Sequence, residues 1–329
     1  MSVFNQNSQE ISTASGTKDR VDFVRSKQPL IVMACVLSLV CFYSLNSVAL
    51  IDLADEGIYA TIARQMIDSG DWVTPRYGPT VFFYKPPLFY WCQALFIYLL
   101  GPTPLAARLP SAIAAFLTAL ALFFWARRKG MMRTGWLAAM LYVLCPLVAL
   151  GLARVAMMDS LLTLFLTLAI IGWIEGYGGN RKGYLLMAAA MGLATMTKGM
   201  IGFLLPGAAF SIWLLLRRDW KALREVPWGY ALCIFLLLVL PWHIAAWRAN
   251  GNWFLQEYII RQHVRRFLGE EFSYHNAPFW YYLPPFSYPC FRGAHSSPSL
   301  GGGACAVGAA RNNLSIARWR CGRCGLCWS

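Results

Sequence analysis

Long uncharged apolar runs alternate with short polar breaks along most of this chain. Seven runs read as membrane-crossing helices, at roughly 29–50, 108–126, 134–153, 160–176, 183–197, 200–216 and 228–247. A crossing helix takes about 20 apolar residues, and only a helix satisfies its own backbone in hydrocarbon. No charge falls between Lys27 and Asp52. That stretch is longer than the roughly 7–15 apolar residues of a signal peptide, so it reads as a retained anchor. Two shorter apolar stretches read differently. The segment 88–101, LFYWCQALFIYLLG, is flanked by Pro86, Pro87, Pro102 and Pro104. If it crossed, the basic clusters RRKGMMR (127–133), RK (181–182) and RRDWKALR (217–224) would all lie outside, against the positive-inside rule. It therefore reads as an interfacial helix on the outer face, with Tyr90, Trp91 and Tyr98 at headgroup level. Residues 57–69 place Ile58, Ile62 and Met66 at helical spacing and read as a second interfacial helix. The expected fold is an all-α integral membrane protein, a multi-pass bundle of about seven spans with interfacial helices on the outer face.

Composition agrees. Hydrophobic residues make up 58% and charged residues 13% of the 329, against about a quarter charged in soluble domains. The formal charge of +14 would suggest nucleic acid as a partner. Here many Lys and Arg sit in short loops between apolar runs, so they report topology and no nucleic-acid partner is expected. Cys35, Cys41, Cys92, Cys145 and Cys233 lie singly within apolar runs, where a thiol is a small hydrophobe. Residues 1–28 are polar and read as a disordered cytoplasmic N-terminus.

This topology brings the loop 51–107, the turn ARVAMMDS (153–160), Lys198 and the stretch 248–282 to one outer face. Asp55 and Glu56 are either helix N-terminal acids or a general base at the membrane boundary. Asp159 is either an N-cap or, with Arg154 close by, a functional carboxylate, because an ionised Asp within a span is costly. Lys85, in FFYKPPLFYW, is either solvated or holds a lipid-linked phosphate, its backbone stiffened by prolines. In RQHVRRF (261–267), Arg261 and Arg265 share a helix face; with Arg266 they form a basic surface against anionic lipid or a phosphate clamp. His263 is weak as a metal ligand on spacing alone. No glycine-rich phosphate loop and no HExxH occurs.

The motifs DLADEGIYATIARQM, KPPLFYW, ARVAMMDS, TKGMIG and HVRRFLGEEFSYHNAPFWYYLPP resemble, in order, those of the bacterial aminoarabinose transferases of lipid A. These group with the protein O-mannosyltransferases in the GT-C class of membrane glycosyltransferases. The resemblance covers roughly residues 30 to 285. It implies sugar transfer, with inversion, from a polyprenyl-phosphate donor such as undecaprenyl phosphate to lipid A or a related envelope acceptor, at the outer face of a bacterial inner membrane. The inner loops are too short to hold a nucleotide sugar, consistent with a donor presented from the bilayer. By the resemblance Asp55, with Glu56 and Asp159, carries the catalysis. Lys85, Arg261, Arg265 and Arg266 face the donor phosphate, and Tyr59, Tyr84, Arg154, Lys198 and His263 line the site. The family has an acidic residue just before the lysine, which with the histidine helps form a metal site. This chain has Tyr84 there, so no metal or other cofactor is assigned.

The domain reading is a catalytic membrane unit over 29–285, followed by a tail over 286–329 of different character. The tail has no Asp, Glu or Lys, and it contains CGRCGLC. Its composition predicts a reading frame that slips near residue 285. An apolar continuation in another frame of the gene is the expected finding, and its absence from both frames would end the idea. Two rival functions are a protein O-mannosyltransferase-like enzyme and a multi-pass lipid flippase. A flippase would place charges at mid-membrane and often show inverted repeats. Here the charges sit at span ends.

Overall fold

The computed structural model describes residues 28–47, 49–50 and 55–265. Expectations for residues 1–27, for Arg266 and for the tail therefore lie outside the described residues. The long helices are α1 (Gln28–Phe42), α2 (Glu56–Ser69), α3 (Leu88–Leu100), α4 (Pro104–Arg128), α5 (Met132–Leu144), α6 (Asp159–Tyr177), α7 (Lys182–Lys198), α8 (Ile201–Arg217) and α9 (Trp228–Asn250). Helices α4, α6 and α9 are long and apolar enough to cross a membrane; α3, α8 and Pro29–Phe42 of α1 are shorter apolar helices. The architecture is that of a helical membrane protein. One departure from the all-helical expectation is a hairpin of β1 (Arg76–Tyr77) and β2 (Thr80–Val81).

Local chemistry sets the element ends. Thr103 caps α4 by accepting the Ala106 amide at 3.2 Å, with Pro104 at the first helical position, where its missing N–H costs nothing. Arg127 and Arg128 close α4, their charge complementing the carbonyl end of the helix dipole. Helix α2 ends at Gly70, in the left-handed region, whose N–H returns to the Met66 carbonyl. Asp71 Oδ1 then accepts the amides of Val73 and Thr74, each at 3.0 Å, and this turn leads into the hairpin.

Short connections fold the helices back on one another and give the bundle two ends. At one end Glu175 bonds Lys129 and the Trp125 indole, each at 2.8 Å, near the basic residues Arg127, Arg128, Arg181 and Lys182. The other end holds the N-termini of α2, α4 and α6 and the C-terminus of α7. Close helix packing relies on small residues. A Cβ on Gly172 of α6 would stand 2.6 Å from the Met187 nitrogen of α7, so any side chain there would force the helices apart.

Helix α3 differs from the sequence expectation at one position. Tyr98 is 75% exposed, but Tyr90, expected at headgroup level, is fully buried. Tyr90 faces inward with Phe89 and packs against Tyr59, Ile62 and Met66 of α2 and Met158 and Leu161 at the start of α6. The phase of α3 is set by its contacts with α2 and α4, and so Tyr90 is core.

Candidate functional site

Asp55 stands immediately before α2 in the left-handed backbone region, with φ of +61°. That conformation costs an L-residue roughly 1–2 kcal/mol, and such strain concentrates at functional positions. Its side chain makes no capping bond to the helix. The carboxylate instead accepts from the Tyr59 hydroxyl at 3.1 Å. Tyr59 packs edge-on against Phe89 and lies 5.6 Å, ring to ring, from Tyr90. The buried Tyr90 hydroxyl has no hydrogen-bond partner among the described residues. Burial, reinforced by Tyr59 and Asp55, holds its phenol well above the ordinary range.

Glu56, expected beside Asp55 in the catalytic group, is placed differently. It is fully buried. Its Oε1 and Oε2 accept the Nε and Nη2 groups of Arg108 at 2.8 and 2.9 Å, and Oε1 also accepts the Ala156 amide at 2.7 Å. Arg108 in turn donates to the carbonyls of Leu45 at 2.8 Å and Ala49 at 3.1 Å. This bidentate pair ties the segment after α1, the start of α2, α4 and the turn before α6 into one node. A carboxylate committed to three donors and closed to solvent anchors structure; it is not placed to take a proton from a substrate. Arg108 was not anticipated. The signal was present in a guanidinium at the head of an otherwise uncharged run, since an ionised group there needs a partner.

Asp159 is the first residue of α6, and its carboxylate pairs with the Lys198 ammonium at the end of α7. Both side chains are about one-third exposed, so the pair contributes little to stability while placing the lysine. Lys198 lines a cavity of about 560 Å³ together with Tyr84, Lys85, Met200, Tyr258, Gln262 and His263. The ring of Tyr84 lies 4.5 Å from that of Phe82. Phe82 packs on the Tyr59–Met158 cluster, so one aromatic layer connects the Asp55 side to the cavity.

Tyr258, Gln262 and His263 come from a π-helical segment, Leu255–Arg265. Such backbone is rare and recurs at functional sites. The Met200 amide donates to His263 Nε2 at 3.3 Å. A backbone N–H can only donate, so Nε2 is the acceptor, and Nδ1 carries the proton that it gives to the Tyr258 carbonyl at 2.5 Å. Gly199 permits this approach. Its φ is +77°, and an added Cβ would lie 2.5 Å from His263 Nε2. Burial pushes the Tyr258 phenol up.

The other expected residues are dispersed. Arg154 donates to the Tyr43 carbonyl at 2.5 Å. Arg261 is held by Glu257 of its own segment at 3.1 and 3.2 Å, and Arg265 is exposed. None of the three lines the cavity, so the expected arginine clamp is not assembled among the described residues. Two cavity residues, Tyr258 and Gln262, escaped the sequence reading because neither is charged. The chemistry expected of a divalent cation finds a poor donor set here. Tyr84 offers a neutral phenol and no carboxylate, and both His263 nitrogens already bond to the protein.

Residues 84–245 match the family described as dolichyl-phosphate-mannose-protein mannosyltransferase. An undecaprenyl phosphate-α-4-amino-4-deoxy-L-arabinose arabinosyl transferase of Edwardsiella ictaluri is 33% identical over 235 residues, 70% of this chain and 42% of that protein. Its counterpart in Pseudomonas paraeruginosa is 31% identical over 256 residues, covering 75% and 45%. The chain thus spans less than half the length of these relatives. The crystal structure of ArnT from Cupriavidus metallidurans bound to undecaprenyl phosphate superposes with a TM-score of 0.69 at 28% identity, over 73% of this chain and 45% of that one. The apo form gives 0.70 at 27% identity, over 79% and 48%.

Proposed function

We propose that this chain belongs to the membrane glycosyltransferase family that includes the aminoarabinose transferases and the dolichyl-phosphate-mannose-protein mannosyltransferases, and that it carries the donor site of an enzyme that moves a sugar from a polyprenyl phosphate to a cell-envelope acceptor. The observation that carries the reading is the pair Lys85 and Lys198 on one cavity, at the end of the bundle where Asp55 stands in a strained backbone conformation.

In the reaction the acceptor oxygen attacks the anomeric carbon from the side opposite the phosphate. The bond between that carbon and the phosphate oxygen breaks, and the polyprenyl phosphate leaves as an anion. Lys85 and Lys198 stabilise the charge that grows on it, a role in which fixed cations in a partly dry site are effective. Asp55 takes the proton from an acceptor hydroxyl. Tyr59 holds the Asp55 carboxylate in place through its hydroxyl. Asp159 aims Lys198 into the cavity, and the Glu56–Arg108 pair fixes the start of α2 and with it Asp55.

For this chemistry the site end faces outward. We assign the basic end of the bundle and the N-terminus to the cytoplasm, in a bacterial inner membrane. The helices within the seven apolar runs cross the bilayer, while α2 and α3 lie along its outer surface. The motif resemblance and the aminoarabinose transferase relatives favour lipid A as acceptor. The match over 84–245 supports a second reading, with a Ser or Thr hydroxyl of a protein as acceptor.

Mass spectrometry of lipid A and of surface proteins, from cells with the intact gene, without it and with Asp55→Asn, tests the proposal. A sugar adduct present only with the intact gene is expected. An adduct undiminished by Asp55→Asn would remove Asp55 from the mechanism.

A further inference from the structure

Gln262 is 7% exposed, and neither its amide nitrogen nor its amide oxygen has a hydrogen-bond partner among the described residues. It lines the same cavity as Lys85 and Lys198. Buried amides left unpaired by the protein are rare and costly. A primary amide offers two donors and an acceptor, so its natural complement is a surface that both donates and accepts. A phosphate does not fit, because its oxygens only accept and the Gln262 oxygen would stay unmatched. The two lysines already provide the charge for a phosphate. Ring hydroxyl or amino substituents of a sugar fit both ends of the amide.

We propose that Gln262 is a specificity-determining residue that hydrogen-bonds the sugar of the lipid-linked donor, taking one substituent that donates and one that accepts. This rests on the donor-site reading above. The π-helical backbone of Leu255–Arg265 presents Gln262 and His263 to the cavity side by side, while His263 is held by the Met200 amide and the Tyr258 carbonyl. Among the described residues, Gln262 is the neighbour left available to a ligand.

The test compares binding of bare undecaprenyl phosphate with binding of undecaprenyl phosphate carrying 4-amino-4-deoxy-L-arabinose or mannose, using the full chain in lipid nanodiscs. In the wild type, at least one sugar-bearing lipid is expected to bind more tightly than the bare lipid. Gln262→Met keeps length and removes both polar atoms. It is expected to weaken that sugar-bearing lipid about ten-fold or more and to change the bare lipid less than two-fold. Gln262→Asn, which keeps the amide on a shorter arm, serves if the Met variant fails to fold, and is expected to show the same selective loss. Equal weakening of both lipids in a folded variant, no weakening of either, or a wild type indifferent to the sugar would each overturn the proposal. Wild-type chain that binds no undecaprenyl phosphate at all would instead remove the donor-site reading beneath it.

Discussion

Replacing Arg108 by methionine is expected to be among the most damaging single changes in the described part of this chain. The substitution preserves most of the side-chain volume and removes the counter-ion of a carboxylate that is fully buried. It takes both guanidinium donors from Glu56, which keeps the Ala156 amide, and strips donors from the Leu45 and Ala49 carbonyls. Breaking a buried pair from one side typically costs about 3–5 kcal/mol. Glu56→Met should cost a similar amount, since it strands the guanidinium. The double variant removes both charges together and leaves backbone groups, among them the Ala156 amide and the Leu45 and Ala49 carbonyls, to find partners. It should therefore be less damaged than the sum of the singles, with a coupling near the upper end of the roughly 0.5–3 kcal/mol seen for residues in contact. The assay is a double-mutant cycle of unfolding free energies in mixed detergent micelles. Single variants that cost less than about 1 kcal/mol, or strictly additive effects, would refute the claim that this pair is the node holding the segment after α1, α2, α4 and the turn before α6.

Three further outcomes are expected. Tyr59→Phe deletes one hydrogen bond to Asp55, worth about 1 kcal/mol; transfer should slow about five-fold with little change in thermal stability, and an unchanged rate would show that the hydroxyl does not position the carboxylate. Gly199→Ala places a methyl against His263 Nε2 in a left-handed backbone; it should cost about 1–2 kcal/mol or more, seen as a lower unfolding midpoint, and an unaltered midpoint would mean His263 moves freely aside. Cysteines introduced singly at Asp68 and at Arg128, at opposite ends of the bundle, should react with a membrane-impermeant thiol reagent from outside at the first position only; labelling at Arg128 alone would invert the orientation.

Much of this arrangement was legible in the chain because hydropathy and charge are local. The apolar runs fall on the long helices, although α1 stops at Phe42 and α5 at Leu144, short of the ends of their runs. Asp55, Lys85, Asp159 and Lys198 stood out as charges at the ends of such runs, and the structure gathers them at one end of the bundle. What was illegible depends on tertiary contact. Nothing local separates Asp55 from Glu56, yet one meets a tyrosine and the other a buried arginine 52 residues away. The inward turn of Tyr90 follows from how α3 packs on α2 and α4. Arg261 looked like half of a phosphate clamp until Glu257, one turn earlier, took it. Gln262 carries no charge, although it sits inside RQHVRRF, and its importance appears only when a cavity forms around it.

We propose above all that Lys85 and Lys198 form a binding site for a lipid-linked phosphate. Native mass spectrometry of the purified chain titrated with undecaprenyl phosphate measures this directly. One bound lipid is expected in the wild type. Occupancy should fall at least ten-fold in Lys85→Met/Lys198→Met, because a hydrogen bond to a charged group contributes roughly 1.5–3 kcal/mol and two are lost. A double variant that stays folded and holds the lipid as well as the wild type would contradict the account.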